Sequence, residues 1–430
     1  MQKSERFKIP ADYYIMFGIC AVLLIMAFIF DRPIDILKGY IAINRSRSVL
    51  ITDYVSLAGI GATLVNAAVS TIFFLILLII CKRNVNGKII AALFLTVGFS
   101  LFGKNLLNSL PLCMGVLIYA RVHKAKFGNY LSHAMFSATV APVVSEIAFM
   151  NEDFNLIRFF LAYLAGLFIG FIFPLLTEVA KRMHRGYCLY NSGIAGGLIS
   201  VFCAGILKSF GIEIIPEFLW DTEHTYQLTA VAAIVSMGMI IFGFVADKPK
   251  NAFEKMQRLT KETCHVNNDY LNEYRHACYI NIGKMCLLST AVTLFLGIPI
   301  NGPILGAILT IAGFAAAGKH IRNTIPILIG SIMAANINHL DMASSSNALS
   351  ILFSTALAPV AGKHGFIAGM VVGFFHVAVA VFIGNLYDGL NLYNNGFAAG
   401  FVAFTIVPLI VFFKETFGFR QRPEEPKNET

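Results

Sequence analysis

The residues of this sequence best suited to chemistry lie in two similar strings of glycine, lysine, asparagine and proline. The first string contains Gly103, Lys104, Asn108, Ser109 and Pro111, and the second repeats it with Gly318, Lys319, Asn323, Thr324 and Pro326. Glycine in the left-handed conformation ends helices, asparagine, serine and threonine cap new ones, and proline is tolerated in a first turn. Each string therefore predicts a broken membrane helix, followed by a new helix that spans about half of the bilayer.

The start of each new helix suits a negatively charged ligand. Helix N-termini carry partial positive charge and free N–H groups, to which the lysines add full charges. We expect the site near the bilayer midplane, with these substrate-binding residues: Lys104, Asn108, Ser109, Lys319, Asn323 and Thr324. The alternative is that the lysines are interfacial and that the glycines and prolines only permit close packing.

The same strings imitate a nucleotide-binding P-loop, because a glycine stands five residues before each Gly-Lys pair. A P-loop needs a serine or threonine after the lysine to hold magnesium, and a strand before its first glycine. Asn105 and His320 follow the lysines here, and apolar helical sequence precedes the glycines. The sequence therefore argues against nucleotide binding.

Two Leu-Tyr-Asn elements each place an asparagine before a helix rich in small residues. Asn191 precedes the stretch from Gly193 to Gly197, and Asn394 precedes the stretch from Gly396 to Gly400. An amide is costly in hydrocarbon unless it finds partners, so each asparagine either caps its helix or lines a polar path. Both are candidate substrate-binding residues.

Two ionisable residues inside apolar segments are candidates for coupling transport to ions. Glu146 follows an Ala-Pro element, and Lys363 stands at the matching place in the second half, as a pseudo-symmetric charge pair would. His376 lies within a segment where the first half has Phe173. Each could instead be structural, with Glu146 at a membrane surface and His376 as a hydrogen-bonded histidine.

The sequence contains no catalytic constellation. Ser192 lies between Asn191 and Gly193 rather than in a G-x-S-x-G turn. His339 and Asp341 are close together but have no third metal ligand at a useful spacing. We therefore predict no enzyme activity, no metal site and no cofactor.

Membrane helices must position all of these residues. Of the 430 residues, 57% are apolar and only 13% are charged, whereas soluble domains carry about 25% charged residues. This composition excludes a soluble globule, a disordered chain, a nucleic-acid reader and a disulfide scaffold. The net charge of +9 comes mostly from short basic segments between apolar runs, as expected of loops that face anionic lipid.

The chain is therefore predicted to be an all-α polytopic membrane protein. About 20 helical residues cross the hydrocarbon core, and fewer suffice where a segment is broken or re-entrant. The sequence predicts fourteen segments in two sets of seven, near residues 11–31, 55–81, 85–102, 106–121, 132–150, 156–180, 187–207, 227–246, 275–297, 300–317, 321–338, 345–361, 365–385 and 391–413. Segments 132–150 and 345–361 either cross the membrane or re-enter it.

The two sets are related by an internal duplication. The Gly-Lys and Asn-Ser/Thr-x-Pro elements recur at an offset of 215 residues, and the Ala-Pro-Val, Gly-x3-Gly-Phe and Leu-Tyr-Asn elements recur in the same order. Because each set has an odd number of segments, the copies are predicted to be inverted repeats of about seven segments each. We assign residues 1–215 to the first repeat, 216–419 to the second and 420–430 to a disordered cytoplasmic tail.

The basic loops predict the orientation. They place both termini in the cytoplasm of a multi-pass protein of the cell inner (plasma) membrane. One loop disagrees, because residues 32–53 are predicted to lie outside but contain Lys38, Arg45 and Arg47. We expect this loop either to dip into the membrane or to fold onto the protein.

At the repeated Gly-Lys-x3-Asn-Ser/Thr-x-Pro and Leu-Tyr-Asn elements, the chain resembles a bacterial family of internally duplicated polytopic membrane proteins described as a domain of unknown function. The resemblance covers nearly the whole chain and implies no activity. A second, fainter resemblance is to urea transporters, which are inverted duplications with a Tyr-Asn pore-helix pattern. Tyr190-Asn191-x2-Ile194-x-Gly196 fits that pattern, and Tyr393-Asn394 fits it in part, with Ala399 in place of the glycine.

Three functions stay open at this point. The first is a secondary transporter of a small polar solute, anionic or zwitterionic, with alternating access between the repeats. The second is a passive small-solute channel of the urea-channel type, and the third is a non-transporting scaffold or a subunit of a larger complex. The expected partners are a small-molecule solute and membrane lipid, without nucleic acid, and the oligomeric state is open, a homo-oligomer included.

Overall fold

The chain is an all-α polytopic membrane protein. The computed structural model describes residues 10–150, 155–247, 249–264 and 268–417, so the tail predicted at 420–430 lies outside the described residues. Within these ranges every regular element is a helix, and strand-like pairing is limited to isolated bridges at Thr52 and Asp53.

The described residues of the first half form ten α-helices. They are α1 (Ala11–Phe30), α2 (Pro33–Arg45), α3 (Tyr54–Ala58), α4 (Ile60–Ile80), α5 (Gly87–Phe99), α6 (Leu106–Val122), α7 (Leu131–Ser137), α8 (Ala141–Phe149), α9 (Leu156–Met183) and α10 (Asn191–Ser209).

The second half repeats this order. Its helices are α11 (Thr225–Val245), α12 (Pro249–Leu259), α13 (Tyr270–Tyr274), α14 (His276–Phe295), α15 (Gly302–Gly313), α16 (Ile321–Ile337), α17 (Ser345–Phe353), α18 (Ala358–His364), α19 (Phe366–Ile383) and α20 (Asn394–Thr416).

Eight of the described helices are long and apolar enough to cross a membrane, namely α1, α4, α9, α10, α11, α14, α19 and α20. The other predicted segments are occupied by the shorter apolar helices α5, α6, α15 and α16 and by the pairs α7–α8 and α17–α18. All fourteen predicted segments are therefore helical.

The halves are packed alike. α1 packs on α4 as α11 packs on α14, and α6 packs on α9 as α16 packs on α19. In the second of these contacts, Gly170 lies against the carbonyl of Leu112, and Gly373 lies against that of Ile327. A Cβ at either glycine would collide with backbone, so the structure confirms that the Gly-x3-Gly elements serve close packing.

The halves meet along α5 and α15, which run antiparallel. Gly87 at the start of α5 lies against Ala316, just beyond the end of α15, while Gly98 near the end of α5 lies against Gly306 in the first turns of α15. A Cβ on Gly98 would stand 2.6 Å from the carbonyl oxygen of Gly306, so the two backbones are in direct contact.

The helices after the Gly-Lys pairs differ from the prediction. Gly103 and Gly318 do adopt positive φ, 75° and 127°, as predicted for residues that end a helix. However, α6 and α16 are 17 residues long, which is about 25 Å at the α-helical rise, so the half-spanning length was wrong. Their N-caps are Asn105 and His320, three residues before the predicted caps.

The loop with misplaced positive charge folds onto the protein. Its first part is α2, and its second part, residues 46–53, makes hydrogen bonds to the second half. Ile43 and Val49 in this loop are fully buried, and the Leu50 N–H donates to the carbonyl oxygen of Gly389 at 2.9 Å. The loop thus covers one face of the contact between the halves.

Candidate functional site

The centre of the molecule contains two breaks in helical structure. A 3-10 turn separates α7 from α8 at Ala138–Val140, and another separates α17 from α18 at Ser354–Leu357. Each following helix has proline at its second position, Pro142 in α8 and Pro359 in α18. Proline has no N–H to continue an α-helix across that point, which accounts for the tightened turn before it.

Each break is hydrogen-bonded to a non-helical segment of the other half. The Leu189 N–H, just before α10, donates to the carbonyl oxygen of Ala356 at 2.9 Å. The Leu392 N–H, just before α20, donates to that of Thr139, also at 2.9 Å. The Leu-Tyr-Asn elements and the Ala-Pro elements therefore form one reciprocal structure at the junction of the halves.

An aromatic cluster fills this junction. The rings of Tyr190 and Tyr393, which follow the two bonded leucines, have centroids 4.6 Å apart. Each tyrosine also packs edge-on against a phenylalanine at the end of the facing α5 or α15 region, Phe314 for Tyr190 at 4.7 Å and Phe99 for Tyr393 at 5.1 Å. Phe353 contacts both tyrosines.

Lys319 points into this cluster. Its ammonium donates to the Tyr190 hydroxyl and, at 2.9 Å, to Oγ1 of Thr355, and it lies 4.2 Å from the centroid of the Tyr190 ring. The lysine is fully buried, and it forms no ion pair with a carboxylate of the described residues. An ammonium has three N–H donors, so one is left for a ligand.

Lys104, its counterpart in the first half, points elsewhere. Its ammonium donates to Oγ1 of Thr96 at 3.1 Å and lies 5.0 Å from the centroid of the Phe74 ring. It too is fully buried and, among the described residues, has no carboxylate partner. Burying an uncompensated charge is expensive, so both lysines favour a nearby anion.

A cavity of about 290 Å³ leads to the cluster from one face. Its inner wall includes Phe136, Phe314 and Ala317, two residues before Lys319. The remaining lining is largely polar and includes Asn86, Lys88, His133, Thr177, Glu178, Lys181, Asn191, Ser192, Asn268 and Asp269. The lysines at this face, Lys88 in the first turn of α5 and Lys181 in the last turn of α9, are among the basic residues that the sequence predicts to be cytoplasmic.

The opposite face is closed by hydrogen bonds around Asp53. This fully buried carboxylate accepts from the backbone N–H groups of Val55 at 2.9 Å, Asp221 at 3.0 Å and Gly302 at 3.2 Å. These donors belong to three different stretches of the chain, two of them in the second half. Asp53 therefore ties both halves together where the counterpart cavity would open.

The predicted cap residues are placed near the lysines, but their polar atoms are already used. Asn108 is part of a capping box with Asn105 and also donates to Oγ of Ser145 at 2.9 Å. Asn323 forms the same box with His320. The Ser109 hydroxyl donates to the carbonyl oxygen of Asn105, and that of Thr324 donates to Oδ1 of Asn323. Apart from the bond of Asn108 to Ser145 in α8, these hydrogen bonds are local to the helix starts.

Asn191 and Asn394 are held by different partners. Asn191 lines the cavity and pairs with Nε2 of His184 at 3.0 Å, while Asn394 accepts from the Tyr387 hydroxyl. Nδ1 of His184 accepts from the Cys188 N–H, so Nε2 carries the proton of a neutral ring. Burial lowers the pKa of His184 below its usual value, which favours that neutral ring.

Glu146 has a partner that the sequence did not indicate. It forms a two-pronged ion pair with Arg47, at 2.9 and 2.7 Å, and is fully buried. The proposed pairing with Lys363 is wrong, because the Lys363 ammonium lies over the ring of Tyr187, 5.8 Å from its centroid. The ion pair therefore attaches the loop that contains Arg47 to α8.

His376 is fully buried in α19 beside Asn395. Among the described residues, no partner stands at standard hydrogen-bond geometry to either ring nitrogen of His376 or to Oδ1 of Asn395. Asn395 is the polar side chain beside the ring, so the coupling role and the structural role of His376 both stay predictions.

The sequence interpretation missed the two tyrosines and Thr355. It gave the functional role in the Leu-Tyr-Asn elements to the asparagines. The preceding tyrosines instead lie at the junction of the halves, where Tyr190 binds Lys319. The signal that could have found the tyrosines is the duplication itself, because both recur in the Leu-Tyr-Asn elements, whereas Thr355 stands where the first half has Ala138. No group of three histidine, cysteine or acidic side chains in the described ranges is arranged to hold a metal ion.

The chain matches the family described as protein of unknown function DUF1576 over residues 32–209 and 248–412. One matched segment lies in each half and both include the cluster residues, in agreement with the resemblance to an internally duplicated family. No curated protein and no solved structure matches the chain. The resemblance to urea transporters stays a prediction.

Proposed function

Because this chain belongs to the DUF1576 family of proteins of unknown function, we propose its function from its own site. The protein is a secondary transporter of a small anionic or zwitterionic solute in the cell inner membrane, with both termini in the cytoplasm. Two inverted repeats provide alternating access to a site at their junction. Its partners are the solute and membrane lipid, and it catalyses no chemical reaction.

The observation that carries this proposal is the position of Lys319. Its ammonium is fully buried without a carboxylate partner, and it lies next to the inner wall of the cavity. A negatively charged group bound there would compensate the buried charge. The third N–H of Lys319 and the hydroxyl of Tyr393, which has no partner of standard geometry among the described residues, are donors that a carboxylate could use.

The packing of the halves supports an inverted relationship. α5 and α15 are equivalent helices and run antiparallel in contact, as helices related by an axis in the membrane plane do. The reciprocal bonds of Leu189 and Leu392 follow the same relation. The substrate residues are accordingly revised to Lys319, Tyr190, Tyr393 and Thr355, with Asn191 on the access path.

The one-sided cavity supports a carrier rather than a permanently open channel. The aromatic cluster ends the cavity at the junction, and the bonds of Asp53 close the other face. A carrier needs a site that opens to one face at a time, whereas a channel needs a continuous path. A channel of the urea type therefore remains the second candidate.

The experiment is a thermal-stability screen of the purified protein with small carboxylates, amino acids, inorganic anions and urea, followed by uptake into proteoliposomes. We expect an anionic or zwitterionic solute to stabilise the wild type and to show saturable, gradient-dependent uptake. Lys319→Met should abolish both effects, while Lys126→Met, which removes an exposed loop lysine, should leave them intact. Linear, gradient-insensitive urea flux would instead establish the channel, and absence of any flux would favour the scaffold.

A further inference from the structure

The two buried lysines are equivalent in backbone position. Each follows a left-handed glycine, at the same offset of 215 residues. The Lys104 carbonyl oxygen accepts from Nδ2 of Asn66 at 2.8 Å, and the Lys319 carbonyl oxygen accepts from Nδ2 of Asn281 at 2.7 Å. These asparagines are also 215 residues apart, so the main chain holds both lysines in the same way.

The surroundings of the two tyrosines are equivalent as well. The Lys319 N–H donates to the carbonyl oxygen of Phe314, whose ring contacts Tyr190. The Lys104 N–H donates to that of Phe99, whose ring contacts Tyr393. Each lysine is therefore attached through its backbone N–H to the phenylalanine that touches its own tyrosine.

The side chains break this symmetry. Lys319 donates to the hydroxyl of Tyr190, while Lys104 turns away to Thr96. The hydroxyl of Tyr393, the acceptor that Lys104 leaves unused, is fully buried beside the Tyr190 ring and has no hydrogen-bond partner of standard geometry among the described residues. An unsatisfied buried hydroxyl costs free energy, so the structure contains a vacant copy of the Lys319–Tyr190 contact.

We propose that Lys104 and Tyr393 form a second lysine–tyrosine pair, which replaces the Lys319–Tyr190 pair when the protein opens to the opposite face. The cavity adjoins the pair that is formed here, so the symmetric exchange places the other cavity beside Lys104. This inference rests on the proposed function, because alternating access supplies the second state, in which the protein is open to the opposite face. In that state Lys104 takes over the role of Lys319 towards the anionic solute.

The exchange is tested without any solute, by alkylation of a reporter cysteine in the cavity. Ser192→Cys in the full-length protein places the reporter on the cavity wall, and mass spectrometry of the modified peptide separates it from the native cysteines. Tyr190→Phe removes the acceptor of the present state and should slow labelling at position 192. Tyr393→Phe removes the acceptor of the opposite state and should accelerate it.

The two rates should differ by roughly five-fold or more, the effect expected of one buried hydrogen bond in each state. Tyr387→Phe is the matched control, because Tyr387 is equally buried but its hydroxyl binds Asn394 instead of a lysine, and it should leave the rate close to that of the parent. Lys319→Met should label slowly, like Tyr190→Phe, and Lys104→Met should label fast, like Tyr393→Phe. The test therefore does not depend on the correct folding of the tyrosine variants alone.

Shifts of the same sign in Tyr190→Phe and Tyr393→Phe, or no shift in either, would overturn the exchange. This outcome is separate from failure of the transport proposal. A protein that moves an anionic solute but labels alike in both variants transports without the exchange. A protein that labels as expected but neither binds nor moves a solute has the two states without the proposed function.

Discussion

The Asp53 carboxylate of the first half accepts a hydrogen bond from the backbone N–H of Gly302 in the second half, at 3.2 Å. Asp269 of the second half returns the bond, accepting from the Gly87 N–H of the first at 2.8 Å. Asp53 is fully buried, whereas Asp269 is partly exposed on the cavity wall. The same contact between the halves is therefore dry at one face and open to water at the other.

Asp53→Asn should destabilise the protein more than Asp269→Asn does. The amide nitrogen of the new side chain must face a backbone N–H, which leaves buried donors unsatisfied at a cost of about 1–3 kcal/mol. Water can reach position 269, so we expect a smaller loss there. Thermal unfolding of both variants in detergent checks this, and equal losses would show that burial does not distinguish the two contacts.

Gly170→Ala should lower the thermal stability markedly, because its Cβ would meet the backbone of Leu112 in α6. Gly205→Ala is the matched control, since Gly205 lies in α10 with nothing within 4 Å of a Cβ. Alanine is the better helix former by about 1 kcal/mol, so the control should be neutral or stabilising. A stable Gly170→Ala variant would contradict the close approach of α6 and α9.

His320→Asn should weaken the dependence of stability on pH. His320 caps α16 with Nδ1 and donates from Nε2 to the carbonyl oxygen of Glu262, and burial lowers its pKa to about 4. Unfolded histidine titrates near 6.5, so between these values only the unfolded chain binds the proton. Stability is therefore lost as the pH falls from about 6.5 towards 4.

Asparagine is the residue that caps α6 at the equivalent position, Asn105. It should keep the cap and remove this proton-linked contribution. Unfolding midpoints of wild type and variant across this pH range measure the difference. An unchanged slope would mean that His320 is not the group that responds.

His376→Phe should be tolerated or stabilising. Both ring nitrogens are buried without a partner of standard hydrogen-bond geometry in the described part of the chain, and the first half has Phe173 at the matching place, also fully buried. If His376 couples transport to protons, the variant should also lose the pH dependence of uptake while it still folds. A large loss of stability would reveal an unrecognised structural role, and an unchanged pH profile would exclude coupling.

The sequence predicted the features that depend on local chemistry. Apolar length located the helices, and Gly103 and Gly318 adopt the left-handed conformation expected of glycine in a Gly-Lys turn. It misplaced the caps of α6 and α16 by three residues. In α6, Asn105 and Asn108 can both cap, and the structure uses both in one box.

The partners of buried charges could not be predicted in this way. Lys319 binds a tyrosine 129 residues away, and Arg47 binds a glutamate 99 residues away. No periodicity or spacing encodes such pairs, because they depend on how the two halves dock. The direction of the Lys104 side chain is a still finer case, since an equivalent backbone supports two different partners.

Gly98 and Gly306 have no side chains, so the main chains of α5 and α15 touch directly at this point, while the Phe94 side chain lies against Gly313 further along. Under the proposed alternating access, the halves would rotate about this main-chain contact. A rotation that narrows the cavity beside Lys88 would open the region around Asp53, at the opposite face, by the same angle. A larger residue at either glycine would displace the axis of this rotation. It would therefore change how far one face opens when the other closes.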